Sequence, residues 1–82
     1  MTTLHPHAVE RSRERGATAD EILATVAEGE QFEAKYGRTG FRHEFAFDEF
    51  WRGKRYAHKQ IEAFAVWENE EWLVISVLVK YY

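Results

Sequence analysis

Cysteine is absent from this 82-residue chain. That excludes a disulfide scaffold, thiol chemistry and thiolate-held metals. Proline occurs once and glycine five times, against 45% hydrophobic and 16% aromatic residues. This is the composition of a folded protein, not a disordered one. Long apolar runs are missing too. The longest, Trp72 to Val79, holds Ser76 inside it and is far too short to span a bilayer. No apolar signal segment opens the chain, so the expected location is the cytoplasm, away from membranes. Glycine-rich phosphate loops, nucleophile elbows and dinucleotide fingerprints are all lacking. His5, His7, His43 and His58 include no pair at helical i, i+4 spacing and have no carboxylate at a familiar interval. No metal and no cofactor are therefore expected.

The length fits one domain, residues 1–82, which buries only about 60–65% of its unfolded surface. Net charge is −3, which counts against a nucleic-acid binder, but its distribution is uneven. Asp20, Glu21, Glu28, Glu30 and Glu33 face no base between Gly16 and Ala34. Arg38, Arg42, Arg52, Lys54, Arg55 and Lys59 then outnumber Glu44, Asp48 and Glu49. An acidic molecule can still present one positive cleft to a polyanion.

Pro6 suits a first helical position and Gly16 a left-handed stop, which predicts a helix over 6–15. Thr18-Ala-Asp-Glu21 is a capping box, and Ile22, Leu23, Val26 and Ala27 continue a helix over 19–28, closed by Gly29. The period then changes to two. Residues 31–36 alternate weakly, and Gly37–Gly40 is a turn. Phe41, His43, Phe45 and Phe47 mark a strand, and 48–53 a loop. Strands over 55–67 and 72–81 flank a turn at Glu68–Glu71. The last carries apolar residues on both faces and should lie inside the sheet. Short connections favour an antiparallel meander with both helices on one face.

Two constellations could carry chemistry. His7, Arg11 and Arg15 stand at i, i+4, i+8 on the first helix. They are either a solvated, salt-bridged face or a phosphate-binding edge, and Arg15 belongs to that edge or simply finishes the helix. Arg38, Arg42, His43, Lys54, Arg55, His58 and Lys59 are interleaved with Phe41, Phe50, Trp51 and Tyr56. Cations for phosphates and rings for unstacked bases suit single-stranded nucleic acid. A polar outer sheet face with aromatic cross-strand pairs has the same pattern. Ser76 needs a hydrogen bond in its apolar strand or a place on the open side.

HAVERSRERGATADEI, from His7 to Ile22, resembles the opening of a small bacterial family of unknown function written H-x-x-x-R…RG(I/A)…(D/E)-(E/D)-(I/V). Gly37-Arg38, Tyr56-Ala-His-Lys59 and Val74-Ile75-Ser76-Val77 resemble its later motifs, in the same order. That family is grouped with the barnase–EndoU–colicin–RelE fold, compact metal-independent ribonucleases, many of them toxins of toxin–antitoxin pairs. The resemblance implies an α+β fold with two N-terminal helices on one face of a four-stranded antiparallel sheet. It implies His7, Arg11, Lys59 and Ser76 as catalytic residues, with Arg38 and Tyr81 beside them. The basic constellations add Arg15, Arg42 and His58 as nucleic-acid contacts.

The implied reaction is attack of an RNA 2′-oxygen on the adjacent phosphorus, leaving a 2′,3′-cyclic phosphate. An imidazole at His7 would carry the proton. Lys59 and Arg11 would stabilise developing charge, while Arg38 and Ser76 orient the phosphate. Tyr81 would stack on a base or relay a proton. The implied partners are RNA, free or ribosome-associated, and an antitoxin with an acidic segment. The protein itself would be a monomer or weak homodimer. The alternative is a non-catalytic nucleic-acid or protein-binding module. Convergence of His7, Lys59 and Ser76 around one phosphate separates the two readings.

Overall fold

The computed structural model describes every residue from Met1 to Tyr82. Pro6 begins helix α1, Pro6–Arg15, and His5 caps it by accepting the His7 amide on Nδ1 at 3.0 Å. Gly16, at φ 81, turns the chain out of the helix. Thr18 and Glu21 form the reciprocal capping box that starts helix α2, Ala19–Glu28. Helix α2 buries Ile22, Thr25 and Val26, whereas α1 buries only Ala8 and Ser12. The apolar stripe of α2 thus makes most of the helical half of the core.

The sheet has five strands and is mixed, in place of the four-stranded antiparallel sheet expected. Its strands are β1 (Thr2–Leu4), β2 (Glu30–Glu33), β3 (Thr39–Trp51), β4 (Lys54–Glu68) and β5 (Glu71–Tyr81), in the order β1-β5-β4-β3-β2. Strand β1 lies parallel to β5, pairing Thr2 with Trp72 and Leu4 with Val74. Three residues are too few to show a period of two, and their partner lies at the far end of the chain. Nothing local marks them as strand. The His5 amide extends the pairing by donating to the Val74 carbonyl at 2.9 Å.

The expected loop over 48–53 is instead mostly strand. Pairing between β3 and β4 shifts register between Ala46 and Glu49, where Asp48 adopts φ 49, and then resumes to Trp51 and Lys54. This bulge interrupts the alternation that would reveal a strand. The hairpin closes on Arg52 and Gly53, both at positive φ, as in the two-residue turns that match strand twist. Asn69 and Glu70 close the β4–β5 hairpin in the same way, at the turn expected there. Residues 31–36 divide into β2 and a 3₁₀ turn at Lys35–Gly37.

Alternation sorts the sheet into two faces, except that a register shift between Phe64 and Ala65 brings Val74 to the same face as Val77. Phe41, Ile61, Ala63, Ala65, Val74 and Val77 face the helices and are buried. Their cross-strand partners confirm the register: Phe41 opposes Ala63, and Ala63 opposes Val77. Gly40, Phe64 and Ser76 occupy the opposite, helix-free face in one row. Strand β5 is interior where β1 flanks it, at Trp72–Val74, and forms the sheet edge beyond. No helix is long and apolar enough to cross a membrane.

Candidate nucleic-acid interface

Lys59 shares the parity of Ile61, Ala63 and Ala65, so β4 points it into the helical layer. Its side chain is only 7% exposed. The ammonium donates to Glu21 Oε1 at 2.8 Å and to the Gly16 carbonyl at 3.0 Å. One side chain therefore ties β4 to the first turn of α2 and to the link between the helices. Burial alone would raise the Glu21 carboxyl. The hydrogen bonds from Lys59 and Thr18, together with the Lys59 charge, outweigh it and hold Glu21 below its ordinary value.

Ser76 lies on the other side of the sheet, so Lys59 and Ser76 do not meet. His7 is exposed on α1, and its Nε2 accepts from Arg11 Nε at 3.5 Å. Of the four expected catalytic residues, only His7 and Arg11 are brought together. Ser76 instead shares a cavity with Arg38.

The second basic constellation is partly neutralised, with Arg38 and Lys54 left without a carboxylate partner. Arg42 pairs with Glu62 at 2.8 Å while lying over the Phe32 ring, and Arg55 pairs with Asp48 at 2.7 Å. His58 is exposed, its ring 5.2 Å from that of Tyr82. No group of three or more His, Asp or Glu side chains is placed to hold a metal ion.

A different set assembles where the C-terminal end of α1 meets the free edge of β5. Arg15 reaches from the last turn of α1 and donates through Nη1 to the Val77 carbonyl. Tyr81, on β5, donates its hydroxyl back to the Arg15 carbonyl at 2.6 Å. Trp51 comes over from the end of β3 and stacks on Tyr81, with centroids 5.0 Å apart and planes 16° apart. Arg52, in the adjoining turn, donates to the Glu14 carbonyl at 3.0 Å and lies 5.1 Å from the Trp51 centroid. Together with Leu78 and Val79 these side chains line an open groove of about 240 Å³. Burial and the negative charge of Glu21 raise the Tyr81 phenol, with Arg52 opposing, so the ring is kept neutral as a hydrogen-bond donor.

Gly16 makes this packing feasible. A side chain there would strike the Tyr81 hydroxyl and come within 2.7 Å of the Trp51 ring. Arg15 finishes the helix and also lines this groove, which is not the one expected beside Lys59. Trp51 belongs to the aromatics interleaved with the basic constellation, whereas Arg52 lies outside that constellation. Their signal was Trp-Arg-Gly itself, an aromatic and a cation at what proves to be a hairpin tip.

Neither Arg15 nor Arg52 is paired with a carboxylate, and Arg11 only reaches Glu14 at 4.0 Å. The groove thus offers stacked rings bordered by guanidiniums whose charge is not cancelled. No family model matches the chain, and neither a curated protein nor a solved structure matches it.

Proposed function

We propose that the protein is a single-stranded RNA-binding module whose strand follows the groove between α1 and the free edge of β5. The observation that carries this reading is the pair of carboxylate-free guanidiniums, Arg15 and Arg52, beside the Trp51–Tyr81 stack. Guanidiniums bind phosphates and also stack on bases, and aromatic side chains are the usual platforms for unstacked bases. Arg11 and His7 extend the cationic line along α1. Glu10 and Glu14 share α1 with these cations, while Asp20, Glu21, Glu28, Glu30 and Glu33 lie on α2 and β2.

Binding without turnover is favoured over cleavage. Metal-free RNA cleavage of the implied type needs a proton carrier, a cation and a phosphate-orienting hydroxyl around one phosphorus. Lys59 is turned inward to Glu21, and Ser76 faces the opposite side of the sheet. The resemblance to RelE-like ribonucleases supports RNA as the polyanion.

The test is fluorescence anisotropy with labelled oligoadenylate of about eight nucleotides, within the span common for such sites. Saturable binding is expected, with log affinity falling against log salt at a slope of about −2 if some three phosphates are contacted. Arg52→Gln should weaken it by about fivefold or more. Absence of binding at low salt, or equal affinity for duplex RNA, would overturn the proposal. The same RNA, incubated in EDTA, should stay intact. Cleavage that persists in EDTA and is lost in His7→Ala would replace binding with the nuclease activity.

A further inference from the structure

The helix-free face holds a second cavity, larger than the groove at about 450 Å³. Phe32, Phe64 and Leu78 form its apolar part, and Ser76 supplies a hydroxyl. Phe32 and Phe64 meet edge to face, with centroids 6.1 Å apart. Gly40 is essential to that pairing, because any side chain there would collide with the Phe32 ring. Lys35 and Arg38 border the cavity, and neither has a carboxylate partner.

Tyr36 is the unusual member. It sits in the 3₁₀ turn at φ 62 and ψ 34, a left-handed conformation costly for a bulky side chain. Nothing buried compensates, since the residue is 88% exposed. Its ring stands beside the cavity with the Arg38 guanidinium 5.8 Å from its centroid.

Leu78 lines both this cavity and the Arg15–Trp51 groove. The two are therefore joined around the free edge of β5, past a single half-exposed side chain. We infer that the cavity is a second base subsite for the same RNA strand. The strand leaves the Trp51–Tyr81 stack, crosses Leu78 and places an unstacked base against Tyr36, Phe32 and Phe64. Lys35 and Arg38 meet its phosphate. Glu33, which also lines the cavity, can only accept hydrogen bonds; it suits the exocyclic amine of a base and disfavours a phosphate beside it.

This inference rests on the RNA-binding reading, and the test separates the two. Anisotropy is measured with labelled diadenylate, which fills the groove alone, and with oligoadenylate of about eight nucleotides. Tyr36→Gly removes the ring at a position where glycine suits the backbone, so the fold is retained. Arg38→Gln removes a bordering charge. Each should leave the dinucleotide affinity unchanged and weaken the longer RNA by about fivefold or more, Tyr36→Gly through one lost base–aromatic stack and Arg38→Gln through one lost phosphate contact. If both variants bind the longer RNA as the wild type does while Arg52→Gln weakens it, the strand does not enter the cavity, and the groove reading stands alone. If the wild type binds neither RNA, both readings fall.

Discussion

Lys59 and Glu21, far apart in sequence, are joined at 2.8 Å between the sheet and the first turn of α2. The ammonium has a second partner in the Gly16 carbonyl, and the carboxylate a second partner in the Thr18 amide. A pair held by these further hydrogen bonds acts as a fastener, and removing either side leaves the other without its charged partner.

Lys59→Ala should therefore lower unfolding stability by about 2–3 kcal/mol, somewhat below the loss from a wholly buried pair because Glu21 keeps some contact with water. Urea denaturation measures it. A variant as stable as the wild type would show that the ammonium is not needed for the fold and is free for chemistry.

The same pair sets the acid limb of stability. Glu21 titrates lower in the folded chain than its ordinary value of 4.5. The unfolded chain then binds the extra proton first. This contribution is fully present above pH 4.5 and is lost as pH falls below it toward the folded value. Glu21→Gln should flatten that limb while lowering stability near neutrality. Thermal unfolding between pH 3 and 7 checks both, and an unchanged acid slope would contradict the assignment.

Tyr81 governs the alkaline side with the opposite sign. Its phenol titrates above 10.0 in the folded chain. Its contribution is intact below pH 10.0 and declines as pH rises through the window above it. Tyr81→Phe should remove this decline and also lose the hydrogen bond to Arg15, costing about 1 kcal/mol at neutral pH. Absorbance titration of the phenols, folded against urea-unfolded, measures the shift directly.

Tyr36→Gly should stabilise the fold by about 1 kcal/mol, since it releases a left-handed strain that no buried contact offsets. A stability gain accompanied by weaker RNA binding would mark Tyr36 as a residue kept for a ligand. A stability loss would mean that the ring supports the turn.

Arg15→Ala should expose the β5 edge, because the Val77 carbonyl loses its only donor from α1. Free strand edges recruit further strands. Concentration-dependent association is expected in size-exclusion chromatography with light scattering, and a monodisperse variant would count against edge protection.

Local signals made the helices legible. Pro6, Gly16 and the Thr18–Glu21 box delimit both at the residues observed. The last two strands were also legible from their alternation and apolar content, although a register shift between Phe64 and Ala65 brings Val74 to the face of Val77, where strict alternation would separate them. Strand β1 was not, since its pairing is non-local and three residues carry no period. The tip of the β3–β4 hairpin was hidden by the bulge at Asp48, and with it the approach of Trp51 to Tyr81. Lys59 was readable in principle. Its parity with Ile61, Ala63 and Ala65 put it on the buried face, where a lysine must find an acid. The motif resemblance pulled it toward the open groove instead. An apolar strand limits Ser76 to a hydrogen bond or the open side, and it stands on the open side, but alternation in one strand does not say which other residues share that side.

The parallel pairing of Thr2–Leu4 with Trp72–Val74 also bears on how the chain assembles. Strand β1 is made well before its partner β5. During synthesis β1 must wait, unpaired, until β5 has emerged. The hairpins, being local, form ahead of it, and the clasp between the two ends of the sequence closes as the final, slowest search.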